Sequence, residues 1–563
     1  MIKYKLKTNP IKIVSTKYVE DYLTSLGITN PKSFTERPRL EDQEYFGNLD
    51  NIEIVVEELY KGFKENKKFF LQVDSDVDGL TSSAIFYGFF KRLFPDAKIE
   101  YRLHDGKEHG VILDTVPIDA DYVIIPDAGS MQFDEQEQLS NLGRKVIILD
   151  HHNVQNVPKF ENVWIVNNQI SQKFNNKNLS GAGVVYKTVQ AFNILHQDEF
   201  KLIYQDYADL AALGLIADMM DTKNLDNNYI IYKGLNNIKS PMLKALLRKQ
   251  EYSISNPERP TKIDIAFYIA PLINGVIRFG SEFDKNELFR GFIETNIEEE
   301  IKTTYAGQER NEEFYDYVAR VSYNVKERQN REKTKCMTYL SERIDKEKLY
   351  ENQLLVVKIS KDDEVAVPST LTGLVAMDLL KKYKKPVLVL RPRNENGKII
   401  YAGSGRGKIN GEFDSLYDLL KESELCEYVE GHDMAHGVAI AEENVPKVIA
   451  YANEKLKNII FDIDEVEVDY IFTESTLNRD MLMQFGSANQ IYGNGIPQPK
   501  FAFELLIDKQ AFNFIGSKGS TIKVRISGID FIKFNSKELA DTINKIKTPY
   551  IKATVIGRAQ INE

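Results

Sequence analysis

Three aspartates alternate in Asp74-Ser75-Asp76-Val77-Asp78-Gly79, directly after the apolar run Phe69-Phe70-Leu71-Gln72-Val73. Alternate residues of an extended chain share a face, so Asp74, Asp76 and Asp78 would project together. Carboxylates that close repel one another unless a cation stands among them. A hard divalent metal is the simplest occupant. The other reading is an Asp-rich turn that caps a following helix. A calcium-binding EF-hand loop is excluded. Its twelfth position carries Glu, whereas the twelfth residue from Asp74 is Ile85, and the residues before Asp74 read as a strand.

Acids and histidines recur after later apolar runs. Asp127 follows Ala120 to Pro126, Asp150-His151-His152 follows Lys145 to Leu149, and Asp218 follows Ala211 to Ala217. Ionisable groups in such places are costly unless paired or metal-bound. Asp74, Asp76, Asp78, Asp127, Asp150, His151, His152 and Asp218 therefore make one candidate site. Oxygen ligands with a little imidazole suit Mn2+ or Mg2+ better than zinc. The ligand count fits two ions, an arrangement that activates water and clamps a phosphate. Adjacent histidines diverge in an extended segment, so one would ligate while the other contacts phosphate.

The elements that must hold these residues alternate between strand and helix. Asn51 to Lys64 is an amphipathic helix, with Ile52, Val55, Val56, Leu59 and Phe63 on one side. Strands are expected at Phe69 to Val73, Lys98 to Leu103, Ala120 to Pro126, Lys145 to Leu149 and Val163 to Val166. Helices are expected at Thr81 to Leu93, from Leu179-Ser180-Gly181-Ala182-Gly183 through Phe192, and over Asp206 to Asp221. In such α/β layouts ligands bind beyond the carboxyl ends of the strands. Trp164 is expected in the core and His196 on a helix surface. Residues 222 to about 345 read as mainly helical, with Glu298 to Arg343 a long charged connecting helix. Alternation resumes over residues 352 to 460, with strands Leu354 to Ile359 and Pro386 to Leu390 around helix Thr370 to Lys382. Beyond about 465, strands Phe501 to Leu506, Ala511 to Ile515, Thr521 to Ile526 and Ile551 to Ile556 suggest a small OB-like β domain. There, Phe512, Phe514, Phe531, Phe534, Lys518, Lys523 and Lys533 are candidates to stack bases and bind phosphates, although most of these aromatics would be barrel core.

Composition sets limits. The 563 residues suit three or four domains, and the formal net charge is −10. That charge argues against binding duplex nucleic acid by bulk attraction, but not against a local basic channel. Two cysteines, Cys336 and Cys426, exclude Cys-rich zinc sites and are expected as thiols. The apolar runs are too short to span a bilayer, and the first residues lack a signal-peptide core. A cytoplasmic protein without a membrane anchor is expected.

The ordered set Asp74-x-Asp76-x-Asp78-Gly79, Asp127, Asp150-His151-His152 and Asp218 resembles the motifs of the DHH phosphoesterase superfamily. Within it the chain is most similar to the RecJ-like exonucleases. Leu179 to Lys187 resembles their Gly-rich helix start, and Phe267 to Asn274 their aromatic-Pro-Asn segment. Gly403-Ser404-Gly405-Arg406 and Gly431-His432 through Gly437 resemble motifs of the DHH-associated domain, with Glu430 in place of a Gly. Gln484 to Asn489 resembles the entry to the OB domain. The resemblance covers roughly residues 45 to 540.

The resemblance implies a DHH catalytic α/β domain and a DHH-associated α/β domain joined by a long helix, plus a C-terminal OB-like β domain. The expected boundaries are an N-terminal extension (1–48), the catalytic domain (49–250), a helical connection (251–345), the associated substrate-binding domain (346–462) and the β domain (463–563). It further implies a metal-dependent 5′→3′ exonuclease that releases nucleotides from single-stranded DNA, in repair or recombination. Asp76 and Asp78 would each hold one of two Mn2+ or Mg2+ ions, with Asp127 between them and Asp74 beside them. His151 and Asp218 would complete the second ion. His152 would meet the scissile phosphate, and Asp150, grouped with it as catalytic, would orient a histidine. Gly181, Gly183, Ser404, Arg406 and His432 would bind DNA phosphates. A monomer is expected, with single-strand-binding protein as a candidate partner. Three departures fall around the substrate: Val166-Asn167-Asn168 replaces the usual Asn-Pro, the loop Tyr101 to Gly110 is shorter and carries His104 and His109, and Gly407 replaces a Ser. Two alternatives remain: an oligonucleotide or cyclic-dinucleotide phosphodiesterase of the same superfamily, and an inactive RecJ-like replication scaffold.

Overall fold

The chain opens with strand β1 (Lys3–Leu6), helix α1 (Tyr18–Ser25) and the short helix α2 (Lys32–Thr35). Helix α3 (Ile52–Lys64) then begins the α/β region. It forms because its apolar residues recur at helical spacing, and it buries Ile52, Val55, Val56, Leu59 and Phe63 on one face. The computed structural model describes residues 3–561, except residues 9, 105–107, 255, 306–307, 361–362, 396, 408–412, 414, 433, 462–464 and 517–518. Two compact units are present: Met1–Pro271 with Phe289–Tyr317 and Glu465–Glu563, and Leu272–Leu288 with Val318–Asp464.

In the first unit, β2 (Lys68–Val73) leads into α4 (Val77–Leu93), followed by β3 (Lys98–Leu103), β4 (Tyr122–Pro126), α5 (Phe133–Asn141), β5 (Lys145–Asp150) and β6 (Val163–Asn167). These five strands form one parallel sheet in the order β3-β2-β4-β5-β6. Its inner strands carry continuous apolar runs because both faces are covered, and all five residues of β4 are buried. Phe63 of α3 stacks on Phe69 (ring centroids 4.1 Å) and Phe90 (4.5 Å), tying that helix to β2 and α4. The chain runs from β2 outward to β3, then crosses back to β4 on the other side of β2. The crevice beyond the carboxyl ends of β2 and β4 is thus the switch point at which such sheets bind ligands. Helices α6 (Gly181–Leu195) and α7 (Ala208–Ala217) complete the layer. Apart from Asp209, helix α7 is apolar on every side, as suits a helix packed against α4 and α6.

The aspartate turn differs from the extended reading. Helix α4 starts at Val77, not Thr81, with Asp76 as its N-cap and the Gly79 N–H donating to Asp76 Oδ1 at 3.0 Å. Asp78 therefore sits in the first helical turn, and the three acids do not share one extended face. His196 is not on an open surface either. Its ring stacks on Tyr60 (4.2 Å) and its side chain is mostly buried. Trp164, on β6 opposite Ile147, is half-buried.

Residues 1–48 are not a detached extension. Strand β1 pairs in parallel with Glu465–Val468. Tyr22, Leu23 and Phe34 share one core with Phe472, Phe485, Phe501 and Phe503. That C-terminal region carries two three-stranded sheets, one of Tyr470–Thr473, Phe501–Asp508 and Tyr550–Gly557, the other of Phe512–Ile515, Thr521–Ile526 and Ile529–Lys533. The arrangement is consistent with an OB-like domain. Phe531 is buried, Phe512 and Phe514 are half-buried, and Phe534 is exposed. Lys523 is paired with Asp530 at 2.9 Å, and Lys518 lies outside the described residues. The stretch read as one charged helix from Glu298 begins instead as an antiparallel hairpin, Glu300–Tyr305 with Gln308–Glu313. The helix itself runs from Phe314 to Lys346.

The second unit has a five-stranded sheet in the order Tyr428–His432, Ala435–Ala441, Lys398–Arg406, Val387–Glu395, Leu355–Lys358. Alternate residues face two separate cores: Leu354, Val356, Leu388 and Leu390 lie in one, Leu355, Val357, Val387 and Val389 in the other.

Candidate metal centre

Carboxylates at strand ends and helix ends meet at the switch point, and each is fixed differently. Asp74 follows β2 and is buried. Its Oδ1 accepts from the Gly110 N–H (3.2 Å) and lies 3.1 Å from His104 Nδ1, while Oδ2 lies 2.9 Å from His109 Nδ1. Burial opposes its ionisation, but the hydrogen bonds of His104 and His109 outweigh burial and hold the carboxyl down at about 2. Asp78 receives the first turn of α6: Ser180 Oγ–H (2.9 Å), Gly181 N–H (2.6 Å) and Ala182 N–H (3.0 Å) all donate to it. Helix α6 thus turns its positive end toward a carboxylate of the same chain. Asp127 follows β4 in the left-handed region (φ 62°), which an Asp tolerates better than most residues. Its Oδ1 is buried without a hydrogen-bond partner. Burial, then the charges of Asp78, Asp76, Asp74 and Asp218, push this carboxyl well above its ordinary range. Asp218 ends α7, and burial with Asp78 and Asp76 pushes its carboxyl up to about 8.

The two histidines divide as their geometry dictates. His151 Nε2 faces carboxylates, 3.2 Å from Asp127 Oδ1, 3.5 Å from Asp218 Oδ2 and 3.9 Å from Asp78 Oδ2. Burial lowers its pKa, which favours the neutral imidazole a metal requires. His152 is half exposed and its Nδ1 lies 2.7 Å from Asp150 Oδ1. Burial works against its charge, but Asp150 prevails and raises the ring to about 9, so it is an imidazolium at neutral pH. Asp150 also accepts from the backbone N–H groups of His151 (2.7 Å), His152 (3.2 Å) and Ser130 (3.1 Å). It is fully committed to orienting this loop and its histidine.

The donor set fits divalent cations. Ligand atoms of Asp74, Asp76 and Asp127 lie within 4.8 Å of one another, as do those of Asp78, His151 and Asp218, and those of Asp127, His151 and His152. Among the described residues, Asp74, Asp78, Asp127 and Asp218 form ion pairs with histidines only. The orphaned Asp127 oxygen and the crowded acids need protons or cations. A pH dependence follows. The folded, metal-free protein keeps a proton on Asp218 up to about pH 8, whereas the unfolded chain releases it near its ordinary value of 3.8. Metal-free stability must therefore fall as pH rises from about 4 toward 8. Thermal melts in chelator are expected to drop across pH 5 to 8, and saturating Mn2+ should abolish that drop. Metal-free melts that stay level would contradict the protonation of this site.

Two expected phosphate ligands are otherwise engaged. The Gly181 N–H is taken by Asp78 and the Gly183 N–H by Ser180 Oγ (3.3 Å), so these amides are not open to DNA. The glycines serve close packing instead: a Cβ on Gly181 would stand 2.3 Å from Asp127 Oδ1, and one on Gly214 of α7 would stand 2.3 Å from Asp78 Oδ1.

Ser404 and Arg406 belong to the second unit. Ser404 is buried with its Oγ 3.0 Å from Thr372 Oγ1, and Arg406 Nη1 donates to the Gly405 carbonyl at 2.7 Å. Burial and then the nearby Arg278 guanidinium lower the Arg406 pKa. Arg406 meets no carboxylate among the described residues. A guanidinium with a second guanidinium nearby suits an anionic group. The His432 side chain lies outside the described residues. Arg278 escapes a reading of the sequence because a single Arg in a helix carries no signal. His104 and His109 stand out there only as loop substitutions, and their shared partner Asp74 is not legible.

Comparison with known proteins agrees with this geometry. Residues 68–215 match the DHH family, N-terminal domain. The chain is 36% identical over 549 residues to the putative SPbeta prophage-derived single-strand DNA-specific exonuclease YorK of Bacillus subtilis, covering 96% of this chain and 92% of that one. It is 24% identical over 585 residues to the single-stranded-DNA-specific exonuclease RecJ of the same organism, covering 99% of this chain and 67% of that one. The crystal structure of RecJ in complex with Mn2+ from Thermus thermophilus superposes with a TM-score of 0.70 at 19% identity, over 98% of this chain and 76% of that one, which shows a common fold. Near-complete coverage by a relative above one-third identity, with the acid and histidine motifs in order around the switch point, places the chain in the RecJ-like single-strand DNA-specific exonuclease family of DHH proteins.

Proposed function

We propose that this protein hydrolyses the phosphodiester bonds of single-stranded DNA from the 5′ end toward the 3′ end, releasing nucleotides, with two Mn2+ or Mg2+ ions. The observation that carries this reading is the pair of separate ligand sets at one switch point. Asp74, Asp76 and Asp127 would hold one ion, and Asp78, His151 and Asp218 the other, with Asp127 reaching between them. Bound there, the ions supply Lewis-acid polarisation of a phosphate and a water of lowered pKa. The protein's own groups do the rest. The His152 imidazolium donates to a phosphate oxygen and counters its charge, and Asp150 holds that ring at the required angle and protonation. Ser404 and Arg406, with Arg278 beside them, hold a DNA phosphate, and His432 belongs to the same motif by family resemblance. Exposed Phe534 offers a surface for an unpaired base.

Family resemblance also supports a monomer working in the cytoplasm, in DNA repair or recombination, with single-strand-binding protein as a partner. Among the described residues no helix is long and apolar enough to cross a membrane. The test is cleavage of 5′-labelled and 3′-labelled single strands, duplex and short oligonucleotides with Mn2+. Processive release from the 5′ end of single strands is expected. Cleavage confined to dinucleotides through pentanucleotides would replace this reading with an oligonucleotide phosphodiesterase, and inertness with every metal would favour the scaffold.

A further inference from the structure

Asp218 stands at the end of α7, and the chain leaves it through an irregular turn before the next helix, Leu225–Leu235. Met219 is held in the left-handed region (φ 56°), uncommon for a residue with a side chain. The helix end closes the turn with the Met219 N–H donating to the Ile216 carbonyl (3.2 Å) and the Met220 N–H to the Leu215 carbonyl (3.0 Å), and further partners come from far along the chain. The Thr222 N–H (3.0 Å) and Thr222 Oγ–H (2.7 Å) both donate to the Asn494 carbonyl. The Asn494 side-chain amide donates back to the Met219 carbonyl. Gly495 lies flat against Asp221, where a Cβ would stand 1.9 Å from Asp221 Oδ1. Thr222 is buried by this contact.

The turn that makes these bonds is itself rigid. Gly493 and Ile496 exchange two backbone hydrogen bonds, N–H to O at 2.9 and 3.2 Å. Tyr492 and Ile496 are fully buried in the core with Phe485 and Phe501. The Tyr492 O–H donates to the Phe485 carbonyl at 2.9 Å. Lys262 packs on Gly493 and donates to the Ile491 carbonyl at 2.9 Å. None of these residues belongs to the metal-binding sets, yet their contacts end one residue from Asp218.

We propose that the Gly493–Ile496 turn is a positioning element for Asp218, with Asn494 as its key residue, so that the C-terminal β region is part of the scaffold of the metal centre. This rests on the reading of Asp218 as a metal ligand. Loss of a group that orients a ligand weakens metal binding by roughly 10–100-fold. A purely structural joint would lower thermal stability and leave the affinity of the folded protein unchanged.

The test is Mn2+ binding by isothermal titration calorimetry on the full chain, with the fold checked by circular dichroism. Asn494→Ala is expected to weaken Mn2+ by roughly tenfold or more, with single-strand affinity in chelator unchanged and turnover recovered at raised Mn2+. Thr222→Val, which keeps shape and loses one hydrogen bond, should shift affinity in the same direction and serves if Asn494→Ala does not fold. Asp218→Asn is the reference. If it weakens Mn2+ while both turn variants bind like the parent, the positioning role is overturned and the ligand assignment stands. If Asp218→Asn leaves Mn2+ affinity intact, the ligand assignment fails and the positioning role with it.

Discussion

Asp127→Ala is expected to abolish cleavage, lowering turnover by roughly a thousandfold or more, the loss of about 4 kcal/mol of charge stabilisation at the phosphate. Asp127 contributes to two of the three ligand sets, one with Asp74 and Asp76 and one with His151 and His152. Asp74 is held by two histidines and Asp78 by the start of α6, so neither is free to replace it. Strand binding should survive, since the proposed phosphate ligands Ser404 and Arg406 are untouched. Single-turnover rates at saturating Mn2+, with fluorescence anisotropy for DNA, separate the two effects. Unchanged turnover would overturn the assignment. Alanine also loses the tolerance of aspartate for φ 62°, costing about 1 kcal/mol of stability. Asp127→Asn keeps that tolerance and removes the repelled charge. It should be as inactive as the alanine variant, yet melt higher than the parent in chelator above neutral pH.

Gly181→Ala is the second large effect. The new Cβ would stand 2.3 Å from Asp127 Oδ1 and 2.6 Å from Asp127 Cβ and Cγ, so something must move. If Asp127 swings away, one ligand set loses its shared oxygen. If the start of α6 retreats, Asp78 loses the N–H groups of Gly181 and Ala182. Either response disturbs the centre, and a loss of roughly a hundredfold in turnover and metal affinity is expected, with about 1–3 kcal/mol of stability. Gly183→Ala is the control. Its Cβ meets the buried side chain of Leu179 at 2.5 Å, away from every acid. It should cost comparable stability and leave Mn2+ affinity nearly unchanged in the folded protein. Equal metal affinities for the two variants would show that Gly181 is not placed for Asp127.

The strand-end acids were legible because an ionisable residue after a buried run has few reasons to be there, and the recurrence after β2, β4 and β5 repeats the signal. The α/β layout followed from apolar runs separated by helix-length segments. What the sequence hid lies in long-range partners. A glycine pair at a helix start reads as a phosphate cradle, yet the anion at α6 is Asp78, 103 positions from Gly181. Asp76 reads as one of three equivalent acids, but capping α4 sets it apart from Asp78. Residues 1–48 look like mixed, polar sequence, although Tyr22, Leu23 and Phe34 find partners in the C-terminal core, far along the chain. The hairpin at Glu300–Glu313 was obscured by its charge, which outweighs the short alternation of Ile301 and Thr303.

The pairing of β1 with Glu465–Val468 has a consequence for biosynthesis. Lys7 and its ion-pair partner Asp469 are 462 positions apart, a span that a ribosome covers in roughly 25–90 s at 5–20 residues per second. Over that interval Tyr22, Leu23 and Phe34 have no core to enter, while the five-stranded sheet already holds every residue it needs. The turn after Asp218 waits as well, for Asn494 is made 275 positions after Met219. The nascent chain therefore has its strand-end acids early, whereas the bonds from Asn494 to the turn after Asp218 form late.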